Sequence, residues 1–151
     1  MAIERAPEVE DRLREGAEAF RRRDPSFVKR FTSRHESAVL IGSDAHEVAR
    51  GYDQIVGMMT TEIEHRTADY PRLDLGTIEA WRDGDVGWAT ALGEFQLDGN
   101  AAIPSRATAV LHREEDDWKI VNWVFSLAVP NEELNPDSPL VRKVGVASAR
   151  S

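Results

Sequence analysis

The chain has 151 residues, long enough for one domain with a true core and too short for two comfortable ones. It is 41% hydrophobic and 30% charged, with a formal net charge of -8, which speaks against a nucleic-acid surface built from clustered Lys and Arg. There is no cysteine, so disulfides and thiolate metal sites are excluded. No long apolar run marks a membrane span, and the first residues, Met1-Ala2-Ile3-Glu4-Arg5, lack the apolar stretch of a secretion signal. The expectation is a cytoplasmic protein without membrane or nucleic-acid partners.

Helical periodicity comes first along the chain. Val9, Leu13, Ala17 and Phe20 recur at three to four residues and form one apolar stripe. Pro7, Glu8 and Glu10 suit a first helical turn, and the basic run Arg21-Arg22-Arg23 suits a last one, where cations complement the dipole. Asp24-Pro25 stops this helix and opens a short second one carrying Phe27, Val28 and Phe31. Ala38-Val39-Leu40-Ile41 reads as a short buried strand ended by Gly42-Ser43-Asp44. A third helix follows, with Tyr52, Val56, Met59 and Ile63 on one face.

After Pro71 the period changes to two. Four strands are expected, at about 73–82, 86–97, 103–114 and 118–129, separated by Asp83-Gly84-Asp85, Asp98-Gly99-Asn100 and Glu115-Asp116-Asp117. Such short connections make antiparallel neighbours the default. The order helix, helix, strand, helix and four strands predicts an α+β domain at 1–134. Its curved antiparallel sheet would curl as a cone over three N-terminal helices and leave a cavity between them. Residues 135–151, rich in proline and polar residues, are expected to form a loosely held tail.

From Gly84 to Glu133 the sequence resembles the SnoaL-like branch of the nuclear transport factor 2-like superfamily. The resemblance rests on Gly84-Asp85-Val86-Gly87-Trp88, on Thr108 to Glu114, on Trp118 to Ser126, and on the ending Val129-Pro130-Asn131-Glu132-Glu133. Upstream, Gly42-Ser43-Asp44 and Arg50-Gly51 match the family's loop before its third helix. The resemblance implies a cone with a pocket at the wide end, often dimeric through the outer face of the sheet. The fold hosts isomerases, cyclases, hydrolases and non-enzymatic binding domains, so it does not decide function.

Alternation assigns the walls. In the last strand Val121, Trp123, Phe125 and Leu127 share an apolar face expected against the helices, opposite Trp118, Ile120, Asn122, Val124 and Ser126. In the preceding strand Ala107, Ala109 and Leu111 are inward, opposite Arg106, Thr108, Val110 and His112. For Val86–Leu97 alternation alone is ambiguous, and resemblance to related cones places Trp88, Thr90, Leu92 and Glu94 inward. Phe20 from the first helix and Tyr52 and Met59 from the third complete the expected ligand wall. Trp118, Ile120, Val110 and Val124 would then form an outer apolar patch that a second copy covers.

Chemistry is sparse. Laid over a ketosteroid isomerase-like sequence, the chain has Gly42 where the base would stand, Ala109 near the donor acid, and Phe20 but no tyrosine in helix one. The calcium/calmodulin-dependent kinase association domain implies pocket arginines, and the matching positions are Leu92, Ala109 and Phe125; its two final-strand histidines become Asn122 and Val124. Glu94 is the candidate acid, with Glu79 and Trp81 on the same wall, because a carboxylate in an apolar setting reaches a useful pKa. His112 falls on the face opposite the apolar set. His46 with Asp44 and Glu47 is a local loop cluster without a third anchored ligand, so no metal or other cofactor is expected. Two readings stay open: a dimer that binds a small apolar ligand without the isomerase chemistry, and a polyketide-cyclase-, isomerase- or hydrolase-like enzyme using Glu94 as acid or base in an apolar pocket.

Overall fold

The computed structural model describes residues 2–65, 71–97, 99–130 and 133. The expected tail at 135–151 lies outside the described residues, as does Asp98 of the predicted loop. Strand β1 (Glu4–Arg5) leads into helix α1 (Pro7–Arg21), which has proline in its first turn, Glu8 and Glu10 beside it, and Arg21 in its last turn. These placements favour both ends of the helix dipole. Asp24 then caps helix α2 (Pro25–Phe31), its carboxylate accepting from the Ser26 amide at 3.0 Å. Strands β2 (Val39–Ile41) and β3 (Val48–Arg50) form a small hairpin before helix α3 (Gly51–His65). Four long strands close the domain: β4 (Arg72–Asp83), β5 (Val86–Gln96), β6 (Ile103–Glu114) and β7 (Asp117–Leu127). No described helix is long and apolar enough to cross a membrane.

The strands form one seven-stranded sheet in the order β1-β4-β5-β6-β7-β2-β3. The expected α+β cone is present, with three helices against a curved, open sheet. The four long strands are antiparallel neighbours, as their short turns require. Glu115 and Asp116 both take positive φ, 50° and 63°, the conformation of a two-residue hairpin that matches strand twist. The sheet is mixed rather than purely antiparallel, because β2 lies parallel to β7 with Leu40 opposite Trp123.

Packing is tight where α1 crosses the sheet. Ala80, Ala89, Ala91, Ala107 and Ala109 line the inner face, and Val9, Leu13 and Leu111 are almost fully buried against it. Small residues let the helix come close: a Cβ on Gly87 would stand 2.9 Å from a methyl of Val9. Arg82 ties the start of α1 to the sheet through Glu4 at 2.6 Å and Glu8 at 3.2 Å.

Two irregularities bend the sheet. Between Asp74 and Thr77 strand β4 carries an extra residue opposite β5, with Gly76 at φ 62°. Between Val110 and Leu111 the partner strand β7 carries Val121 as an extra residue. A bulge of one residue flips the alternation beyond it and increases local twist. As a result Trp118 and Ile120 point inward on one side of Val121, and Trp123 and Phe125 point inward on the other.

Candidate functional site

Between the sheet and all three helices the inner face opens into a cavity of about 140 Å³, with Leu13, Ala17 and Phe20 of α1 in its wall. Phe20, Phe27 and Phe31 come from the helices, and Phe95, Trp123 and Phe125 from the strands. Met59 and Ile63 of α3 and Leu73 of β4 fill the gaps between these rings. Phe95 and Phe125 meet edge to face at 5.6 Å, and Phe27 and Phe31 lie 5.0 Å apart. Among the described lining residues the Thr32 hydroxyl already donates to the Val28 carbonyl at 2.8 Å, and the Trp123 indole is the other uncharged side chain that carries a polar group. A dry apolar void of this kind offers dispersion contact and little hydrogen bonding.

Asp24 and Glu62 are the ionisable side chains among the described lining residues. The Asp24 carboxylate is solvent-exposed and accepts from the Ser26 hydroxyl at 2.5 Å as well as from its amide. That hydroxyl is the main reason its pKa sits below the ordinary carboxylate value, with Arg30 and Arg22 nearby adding to the effect.

Of the residues expected to form the ligand wall, the structure brings Phe20, Met59, Trp123 and Phe125 together at this cavity. The expected orientation of β5 is corrected. Gly87, Ala89 and Ala91 are the buried set, and Trp88, Thr90, Leu92 and Glu94 lie on the outer face, with Leu92 58% exposed. The physical reason is the closeness of α1, which leaves room for alanine and none for tryptophan. Glu94 stands opposite Asp74 and Pro104 in the ladder, exposed and outside the cavity. Glu79 and Trp81 do share its wall, but that wall faces away from the helices. Tyr52 is also displaced: its hydroxyl donates to the Lys29 carbonyl at 3.2 Å and Arg34 stacks on its ring. On α3 the buried residues are Ile55 and Ile63, so the inward face is rotated from the expected one.

The predicted outer patch is likewise corrected in part. Trp118 and Ile120 are 7% and 6% exposed on the inner face, carried there by the Val121 bulge. Val110 and Val124 are on the outer face as expected, beside Trp88, Trp81, Leu92 and Ile41. His112 is exposed there, 3.5 Å from Glu114. The His46 loop is an internal turn in which Asp44 accepts from the His46 amide, and no metal-binding group of three is found among the described residues.

Phe27, Phe31 and Phe95 were not singled out from sequence as wall residues. Phe95 could have been found through the tight Gly84-Asp85 turn, which pairs Ala80 with Ala89 and so sets the inward phase of β5 at odd positions.

Residues 9–130 match the family model of the SnoaL-like domain. Against curated protein sequences the chain has no match. Among solved structures it is similar to a nuclear transport factor 2-like protein of unknown function from Pseudomonas putida KT2440, at 15% identity, 80% and 84% coverage of the two chains and TM-score 0.68. A candidate dehydratase of the same family from Streptomyces avermitilis aligns at 15% identity over 80% of this chain and 94% of that one, TM-score 0.69. A cystatin-like fold protein from Burkholderia xenovorans LB400 aligns at 22% identity, 85% and 100% coverage and TM-score 0.64. At such identities these likenesses show the fold alone.

Proposed function

The chain belongs to the SnoaL-like domain family, and from that premise we propose that it is a homodimeric protein whose cone binds one small apolar molecule without isomerase-type acid–base chemistry. The observation that carries this reading is the cavity of about 140 Å³ walled by aromatic rings and aliphatic side chains. An engineered apolar void of roughly 150 Å³ takes benzene, so the fitting ligand is about a single ring with a short substituent. At ligand efficiencies between about 0.3 and 1.5 kcal/mol per heavy atom, a seven-atom ligand gains about 2–10 kcal/mol, which brackets its affinity between tens of millimolar and tens of nanomolar. Glu94 lies outside this cavity, and the reading gives it no chemical role.

The dimer rests on the outer face of the sheet, where Trp81, Trp88, Val110, Leu92 and Ile41 leave apolar surface across several strands. A patch of this kind on one face of a sheet fits a two-fold, self-complementary contact.

Toluene is the test ligand. Saturating toluene is expected to shift the methyl resonance of Met59, which lines the cavity, and to leave that of Met58 nearly in place. Absence of any Met59 shift at saturation would overturn the binding reading. Sedimentation equilibrium at a chain mass of one copy would overturn the dimer separately.

A further inference from the structure

One uncharged side-chain donor among the described lining residues is left without a partner. We infer that the cavity takes an uncharged carbonyl compound, an apolar ring bearing a ketone or a similar group, whose oxygen accepts from the indole N–H of Trp123. This rests on the proposed binding function and adds the class of ligand to it.

Two described lining side chains carry an uncharged polar hydrogen, Thr32 and Trp123. The Thr32 hydroxyl is committed to the Val28 carbonyl at 2.8 Å. The Trp123 indole makes no hydrogen bond with another described residue. Its surroundings give the reason. Trp123 stands on the inner face between Ala109 of β6 and Leu40 of β2, and it packs against the same core cluster as Met58 and Met59. None of these side chains offers an oxygen or nitrogen, and the neighbouring strand carbonyls belong to the ladder.

The indole nitrogen is also accessible. Trp123 is half-buried, and its nitrogen is not among the described polar atoms that are both unpaired and shut from solvent. On the inner face, the open space in front of this residue is the cavity.

This donor selects among molecules that fit. A hydrocarbon that fills the cavity cuts the N–H off from water and gives it no partner, so the complex carries the cost of an unmade hydrogen bond. A hydroxyl compound satisfies the N–H but brings a hydrogen of its own that needs a second partner. The lining acids do not stand idle for that purpose, since Asp24 accepts from Ser26 and Glu62 is already engaged. A carbonyl oxygen accepts and adds no donor. The ring that carries it meets the apolar wall, where Phe95 and Phe125 stand edge to face.

The experiment compares two uncharged molecules of one shape, acetophenone and α-methylstyrene, in which a carbonyl oxygen replaces a methylene carbon. Each is titrated against the Met59 methyl signal and the Trp123 indole proton. Both are expected to shift Met59, and acetophenone alone is expected to move the Trp123 N–H downfield. In Trp123→Phe the affinity of acetophenone relative to α-methylstyrene is expected to fall about fivefold, the worth of one hydrogen bond. The α-methylstyrene titration reports whether the cavity survives in that variant; where it does not, the N–H shift in the parent decides. If both probes bind the parent and acetophenone leaves the Trp123 N–H where α-methylstyrene leaves it, the donor assignment is overturned and the binding function stands. A ratio that changes by less than about twofold in a folded Trp123→Phe variant overturns it equally. If neither probe shifts Met59, the binding function fails and the ligand class fails with it.

Discussion

Gly93→Ala tests whether the bend that opens the cavity depends on close backbone contact at the β4 bulge. A Cβ at Gly93 would lie 1.9 Å from the Asp74 carbonyl oxygen and 2.6 Å from the Leu75 carbonyl carbon. Both are backbone atoms, so no side-chain rotation relieves the contact. Gly76 faces the same spot from β4, where a Cβ would meet the Leu92 carbonyl oxygen at 2.2 Å. The strands must therefore part by more than about 1 Å at the bulge, a displacement that tight interiors do not absorb freely. Losing about two ladder hydrogen bonds removes about 2 kcal/mol, and added strain of about 1 kcal/mol is offset by a similar gain from the stiffer unfolded chain. The net expectation is a destabilisation of about 2 kcal/mol, which lowers the melting temperature by roughly 4–8 °C for a chain of this size. Gly57→Ala is the control: the position is helical, exposed and open, and the change is expected to stabilise by about 0.5–1 kcal/mol. Thermal and urea unfolding by circular dichroism measure both. If Gly93→Ala melts within about 1 °C of the parent, the close approach is not what holds β4 and β5 together.

Val110→Glu places a charge at the centre of the outer face, beside Trp88 and Asn122 in register, and is expected to halve the mass seen in sedimentation without lowering the melting temperature of the monomer. Glu94→Gln is expected to change stability by less than about 0.5 kcal/mol and to leave the toluene titration unchanged, since the side chain is exposed and outside the cavity. Phe125→Ala removes a half-buried ring from the edge contact with Phe95 and is expected to cost about 2 kcal/mol in urea unfolding, less than a fully buried phenylalanine. The Asp24 carboxyl has a lowered folded pKa, so its stabilisation is fully present above the ordinary value of 3.8 and is lost as pH falls through the folded one. Asp24→Asn is expected to flatten the acid limb of the stability profile below about pH 4 while keeping the cap; a limb of unchanged steepness would show that Asp24 is not linked to folding.

The parts of the fold that were legible in the sequence are those where one physical rule acts over many residues. The two-residue period predicts β6 at the observed bounds, Ile103–Glu114, and the other long strands within a residue or two. Asp24-Pro25 both ends α1 and starts α2 because a capping carboxylate and a preset φ act there together. Strands β1 and β3 span two and three residues, too short to express any period, and they exist through pairing with β4 and β2. The bulge at Val121 is hidden for a different reason. Both faces of the run from Trp118 to Phe125 are rich in apolar residues, so parity gives no warning that the phase slips.

The orientation of β5 shows how volume can override hydrophobicity in choosing which residues are buried. Ala89 and Ala91 gain little by burial, and Trp88 would gain more, yet the alanines face α1 because the helix lies too close for an indole. The larger side chains then stand on the outer face, which is where a second copy would cover them. The same choice removes Glu94 from the cavity and leaves Asp24 and Glu62 as the acids among its described lining residues. A general base must reach the proton it removes and have a pKa near the working pH. The Asp24 carboxylate meets neither demand well, being solvent-exposed, bonded to Ser26 and lowered in pKa. A carboxylate of that kind serves the fold, by capping α2 through the Ser26 amide and hydroxyl.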